Sequence, residues 1–181
     1  EDTKRVASTG LIQQVLKSLL NERVPIKDML TIMETIADVA QPAGGSVDII
    51  VEQVRARLAR VITNLYKDGN GVLKLVTLSA PTEQYLLDRL KDQHGARSLL
   101  LNVTELNTLI EAVSLTASKV LQSGVAPVII IVDPLLRKAL SEKLGQFGLD
   151  VVVLSHAEVD GRAKFEVLGS VEASFSDGSK K

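Results

Sequence analysis

The sequence predicts an α+β or α/β protein in two parts, a helical bundle followed by a small α/β unit with a mixed sheet. Three observations lead there. Apolar residues recur every three to four positions up to Leu65; a turn cluster, Lys67-Asp-Gly-Asn-Gly71, interrupts them; and short β-branched runs then alternate with helical stripes. The expected divisions are a helical subdomain over 1–68, an α/β subdomain over 72–175 and a flexible tail over 176–181.

In the first helix Ile12, Val15, Leu16 and Leu19 share a face, with Gln13, Gln14 and Lys17 opposite. The second is expected to begin at Pro25, because proline suits the first helical position. Its stripe is Ile26, Met29, Leu30, Met33, Ile36, Ala37 and Ala40, and it ends before Pro42-Ala-Gly-Gly45. Ser46 is the N-cap of a third helix, whose Val47, Ile50, Val51, Val54, Leu58, Val61, Ile62 and Leu65 run unbroken on one face for about five turns.

Beyond the turn, Val72 to Leu78 reads as a strand, Pro81 to Lys91 as a helix and Ser98 to Leu101 as a short strand. Asn102 and Glu105 form a capping box ahead of a helix lined by Leu106, Leu109, Ile110, Val113, Ala117, Val120 and Leu121. Val128 to Val132 has the continuous β-branched character of a strand covered on both faces, and Asp133-Pro134 opens the helix that Gly148 closes. Val151 to Leu154 is a second buried strand. Phe165 to Phe175 alternates, as expected of a half-exposed and antiparallel edge strand.

Composition excludes several functions. The formal net charge of −1 supplies no basic field for a phosphate backbone, and aromatic residues at 3% are too sparse for base stacking, which argues against nucleic acid as a partner. With no cysteine there is no disulfide framework, thiol nucleophile or cysteine-ligated zinc. The longest apolar run, Val125 to Val132, is far short of the roughly 20 residues of a membrane span. Acidic Glu1 and Asp2 do not open a signal peptide, and so abrupt a start is expected of a fragment.

No catalytic, cofactor-binding or metal-binding set emerges, so the protein is expected not to be an enzyme. Tyr66 to Thr77 places Asp68, Asn70 and Gly71 as in a calcium loop, but Tyr66 and Thr77 stand where its first carboxylate and bidentate glutamate belong. Ser155-His156-Ala-Glu158 is better read as a capping box than as a Ser/His pair. His94 has no second ligand at metal-binding spacing. The junctions Ser79-Ala-Pro81 and Asp133-Pro134 lack the glycines of a phosphate loop, and Asn102-Val-Thr104, formally a glycosylation sequon, is accounted for by capping.

Contact surfaces are the better prospect. Arg57 and Arg60 lie away from the apolar stripe of the third helix, and Arg55 is spaced to pair with Glu52. Ile32 and Val39 flank the stripe of the second helix and widen its apolar surface, as either core packing or a partner contact would require.

Four blocks carry a resemblance: LIQQVLKSLLNERVPIKDMLTIMETIADVA from Leu11 to Ala40, IIVEQVRARLARVI from Ile49 to Ile62, APVIIIVDPLLRKAL from Ala126 to Leu140, and DVVVLSHAEV from Asp150 to Val159. In this order they resemble the FHIPEP family of type III export gates, over nearly the whole chain. The resemblance implies the last two subdomains of a cytoplasmic region whose membrane part precedes it, at the cytoplasmic face of the bacterial inner membrane. It further implies a nine-subunit ring under the export pore that receives export chaperones with their substrates and components of the export ATPase complex. Arg23, Pro25, Asp28, Thr31, Glu34, Thr35 and Asp38 match the family's helix motif, and Glu52, Arg55 and Arg60 its following helix. With Ile32, Val39 and Arg57, these helices are the expected contact surface. The flagellar branch fits best, chiefly through Val151 to Glu158. A virulence export gate of the same family is the alternative, followed by a nucleotide-binding α/β enzyme and a helical nucleic-acid module.

Overall fold

A computed structural model describes residues 7–93 and 96–176. The expectations for His94 and for the tail beyond Ser176 lie outside the described residues. The chain divides between Tyr66 and Lys67 into a helical unit and an α/β unit, and Ala157–Arg162 belongs to the helical unit.

In the helical unit, α1 (Thr9–Asn21) is capped by Ser8, whose hydroxyl accepts the Leu11 N–H at 3.2 Å, and it buries Val15 and Leu19. α2 is Met29–Val39, so the expected start at Pro25 is corrected: Val24 to Asp28 has no regular structure and Asp28 is the cap. Its carboxylate accepts the Thr31 N–H at 3.1 Å and the Thr31 hydroxyl at 2.7 Å, holding its pKa below the ordinary value. A charge-assisted cap satisfies a helix N–H that Pro25 leaves unanswered, so Asp28 sets the boundary.

The buried face of α2 is also rotated from the expected stripe, for it carries Ile32, Thr35, Ile36 and Ala40 while Leu30 is 70% exposed. Thr35 enters the core because its hydroxyl donates to the Thr31 carbonyl at 2.6 Å. A pattern of apolar residues alone does not count such a position.

The third helix is not continuous. α3 (Val47–Arg57), capped by Ser46, gives way at Leu58 to α4 (Ala59–Tyr66). The Leu58 N–H is shared between the Val54 and Arg55 carbonyls at 3.0 and 3.1 Å, a local tightening toward 3₁₀ geometry. Leu58 is buried and neither glycine nor proline stands there, so the sequence holds no signal of the break.

In the α/β unit, β1 (Val72–Leu78), β4 (Val128–Val132), β5 (Val151–Ser155) and β6 (Lys164–Val171) form one sheet in the order β5-β4-β1-β6. Every pairing in it is parallel. The fold class stands, while the expected mixed sheet separates into this parallel sheet and a two-stranded ribbon of β2 (Leu90–Gln93) and β3 (Ala96–Leu99). β6 is an edge strand as expected but runs parallel to β1, because the chain between β5 and β6 crosses over instead of turning back as a hairpin. α5 (Ala80–Leu87) stops before Lys91 because the chain enters β2.

α6 (Val103–Gln122) carries the expected Asn102–Glu105 capping box, and α7 (Pro134–Gln146) follows Asp133. Leu86 of α5, Leu109 and Val113 of α6 and Leu136 and Leu140 of α7 pack in one core with Val76, Ile130 and Val153 of the sheet.

The turn before β1 is built by Asp68, whose Oδ1 accepts the Asn70 and Val72 N–H groups at 2.8 and 2.9 Å. The Val72 bond is the main reason that its pKa lies below the ordinary value. Gly71 closes the turn at φ 75° with open space where a Cβ would point. Gly71→Ala is therefore expected to cost about 1 kcal/mol by backbone strain alone, and urea unfolding beside the parent chain measures it.

Candidate assembly surface of the helical unit

Arg55 organises the helical unit. It lies on α3 with its side chain 3% exposed, and Nε and Nη2 grip Glu158 at 2.6 and 3.0 Å while Nη1 donates to Glu22 at 2.9 Å. Glu158 is wholly buried at the end of a single 3₁₀ turn, His156–Glu158. Two readings are thereby corrected. Ser155 to Glu158 does not open an α-helix, and the Glu158 carboxylate serves as the bidentate acceptor of Arg55. Arg55 is held by Glu158 and Glu22, residues 103 and 33 positions away, in place of the expected neighbour Glu52. The planar guanidinium fork suits two carboxylates at once, and burial makes each bond matter more.

The same segment is fixed again two residues later, where the Asp160 N–H donates to the buried Thr63 hydroxyl of α4 at 2.9 Å. Tyr66, at the end of α4, feels Arg55, Arg23, Glu158 and Glu22; desolvation dominates and raises its pKa, opposed by the two arginines. Sequence reasoning missed Glu22, Thr63, Glu158 and Asp160 as a group. An Arg and a Glu so far apart in the chain carry no spacing signal.

The remaining predicted contact residues sort by burial. Ile32 is fully buried in the core of the unit, so it is not a surface residue, and Val39 is half-buried. Glu34 and Asp38 are exposed and follow Leu30 at intervals of four, so the three form one outward stripe of α2. From α3, Arg57 reaches across to Asp38 of α2 at 3.6 Å, both side chains more than half exposed. Arg60 and Arg23 are exposed as well, Arg23 in a left-handed conformation at φ 59°, while Thr31 and Glu52 are half-buried. Asp28 is committed to capping. The exposed groups are thus an acidic and apolar stripe on α2 with Arg57 of α3 beside it, and Arg60 on α4. Exposed pairs such as Arg57–Asp38 contribute roughly 0–1 kcal/mol to folding, which leaves them available for a partner. Among the described residues no group of histidines and carboxylates is placed to hold a metal ion.

A family model described as the FHIPEP family matches residues 1–164. The flagellar biosynthesis protein FlhA of Helicobacter pylori is 55% identical over 97% of this chain, which covers 24% of that protein. The chain thus spans about a quarter of the length of the curated relatives it matches. A cryo-EM structure of nonameric EPEC SctV-C is matched with a TM-score of 0.76 at 22% identity, covering 94% of this chain and 50% of that one. A structure of the Chlamydia pneumoniae CdsV and CdsO protein complex is matched with a TM-score of 0.80 at 18% identity, covering 94% and 50%. The last two establish a shared fold.

Two outcomes follow. Glu158→Gln or Arg55→Met leaves a buried charge without its partner and should lower stability in urea by about 3–5 kcal/mol, whereas the paired R55M/E158L replacement should cost much less; equal losses in single and paired variants would refute a buried ion pair. Tyr66 keeps its proton longer folded than unfolded, so its contribution is intact below about pH 10 and lost as pH rises through the higher folded pKa. The stability difference between the parent and Tyr66→Phe should therefore be flat below about pH 9 and change above about pH 10, the parent losing more.

Proposed function

Because the chain belongs to the FHIPEP family, we propose that it is the C-terminal part of the cytoplasmic region of a flagellar type III export gate, a noncatalytic module for ring assembly and docking. The observation that carries this reading is the 55% identity to a flagellar relative over 97% of the chain. The exposed stripe of Leu30, Glu34 and Asp38, with Arg57 beside it and Arg60 exposed on α4, supplies groups of both signs for contact with further copies of the chain. Such contacts are individually weak, and a ring multiplies them through effective concentration. The nonameric state of EPEC SctV-C, a relative in fold, supports the ring. The complex of Chlamydia pneumoniae CdsV with CdsO supports docking of a further protein component. Export chaperones with their substrates and components of the export ATPase complex are the partners proposed, and the cytoplasmic face of the inner membrane is the proposed location. No described helix is long and apolar enough to cross a membrane.

The virulence gates share this fold and are the second reading, favoured only by their structures and not by identity. A nucleotide-binding enzyme is a poorer fit. At the β4–α7 junction, where an α/β sheet would receive a phosphate, the Asp133 N–H already donates to the Glu83 carboxylate at 3.0 Å and the Asp133 side chain caps Leu135 at 2.8 Å. Two carboxylates at that point repel an anion.

In the intact membrane protein, the double reversal E34K/D38K should cut subunit crosslinking through α2 and α3, and flagellar export with it, by at least about tenfold, as expected when several repeated contacts are lost together. Undiminished crosslinking in a folded variant would remove this surface from the ring. Saturable stabilisation by millimolar ATP would favour the enzyme instead.

A further inference from the structure

The segment that follows β6 ends on a site built before it arrives. Tyr85 of α5 stands at its centre, with the Phe175 ring stacked on one face, centroids 4.0 Å apart and planes 4° from parallel. The Arg89 guanidinium carbon lies 3.3 Å from the Tyr85 centroid. Two groups so close along the ring normal must occupy opposite faces, so Arg89, Tyr85 and Phe175 form three layers. Glu105 of α6 holds the first two: its Oε1 accepts the Tyr85 hydroxyl at 2.7 Å and Arg89 Nε at 2.8 Å, and its Oε2 accepts the Asn102 N–H at 2.9 Å. One helical turn before Tyr85, the Thr82 hydroxyl is 2% exposed, accepts from the Ser79 hydroxyl at 2.8 Å and receives the Ala173 N–H at 3.0 Å. The segment itself makes a three-residue turn, Phe175 N–H to Ala173 carbonyl at 3.1 Å, which swings the ring onto Tyr85.

We propose that Thr82, Tyr85 and Arg89, set by Ser79 and Glu105, form a peptide-binding site in which Ala173–Phe175 is the resident ligand, and that it accepts in exchange a short segment of a partner protein that turns after two small residues and presents an aromatic ring. The hydrogen bonds by which Glu105 and Ser79 position Tyr85, Arg89 and Thr82 do not involve Phe175 or Ala173. The resident is joined to these groups by a hydrogen bond and a stacked ring, Phe175 packs besides against the core of the unit, and the segment lies beyond β6, where detachment breaks no sheet pairing. Selectivity follows from Arg89. With a cation on one face, the opposite face of Tyr85 takes a neutral π-system and repels a lysine or arginine. Two small residues, Ala173 and Ser174, let the backbone reach the buried Thr82 hydroxyl. This inference stands apart from the export reading, because it rests only on groups of the α/β unit.

The chain holds two tyrosines and no tryptophan, so the ring signals of Tyr85 can be followed by proton NMR against those of Tyr66. In full-chain Phe175→Ala, the shift that the stacked ring imposes on Tyr85 should vanish. A peptide of residues 172–176 should restore it saturably, and versions with lysine or alanine in place of the phenylalanine should bind at least tenfold more weakly. Phe175→Leu, which keeps apolar bulk against the core, is run in parallel so that a folded receptor is at hand. Absence of a saturable shift in a folded variant, or equal binding of the three peptides, would overturn the proposal and leave Phe175 as packing alone.

Discussion

The guanidinium of Arg55 is withdrawn from water in the helical unit, and two carboxylates, Glu158 and Glu22, answer it. Much else in that unit depends on this constraint. A buried charge tolerates little slack, so α3, the end of α1 and the segment Ala157–Arg162 must keep their places relative to one another. The Thr63 hydroxyl bonds the same segment one step along, and Tyr66 lies half-buried beside the charges. A pair of such geometry adds little net stability over an apolar core, but it penalises arrangements in which one member is left alone. Its contribution is therefore to which residues assemble, more than to how tightly they do.

Because Arg55 and Ile32 are consumed inside, the exposed groups of these helices differ from the contact set that helical pattern and family motif suggested. Leu30, Glu34 and Asp38 face outward on α2, with Arg57 across from Asp38, and Arg60 is exposed on α4. These groups are solvated and weakly paired, a state in which charged residues give up little on meeting a partner. Residues that match the family motif thus stand in different settings. Asp28 starts a helix and Arg55 is buried against Glu158, while Glu34 and Asp38 are exposed, Asp38 beside Arg57.

In the α/β unit the physical logic is that of a parallel sheet covered by helices, with β4 buried through its length. The helix starts next to the sheet are answered by their own caps, Ser79, Asn102 and Asp133, and by the Glu83 carboxylate. Groups that many α/β enzymes leave open for phosphate are here closed by side chains. What remains distinctive on this unit is the aromatic stack, in which one carboxylate orients both a tyrosine and an arginine.

Local chemistry was legible in the sequence. The Asn102–Glu105 capping box, the Asp133-Pro134 helix start, the β-branched strand Val128–Val132 and the turn at Asp68 all stand where residue type and spacing placed them. So did the family, through blocks long enough to exceed what packing alone demands. Three features were decided only by tertiary structure: the break at Leu58, the parallel course of β6 and the burial of Arg55 with Glu158. The reason is common to them. Each depends on a competition between a local preference and a partner distant in the chain or hidden in the core, as when the Glu158 carboxylate pairs with an arginine 103 positions earlier and does not open an α-helix of its own. Periodicity and capping act within a turn or two of helix, whereas burial acts on whatever the fold has brought alongside.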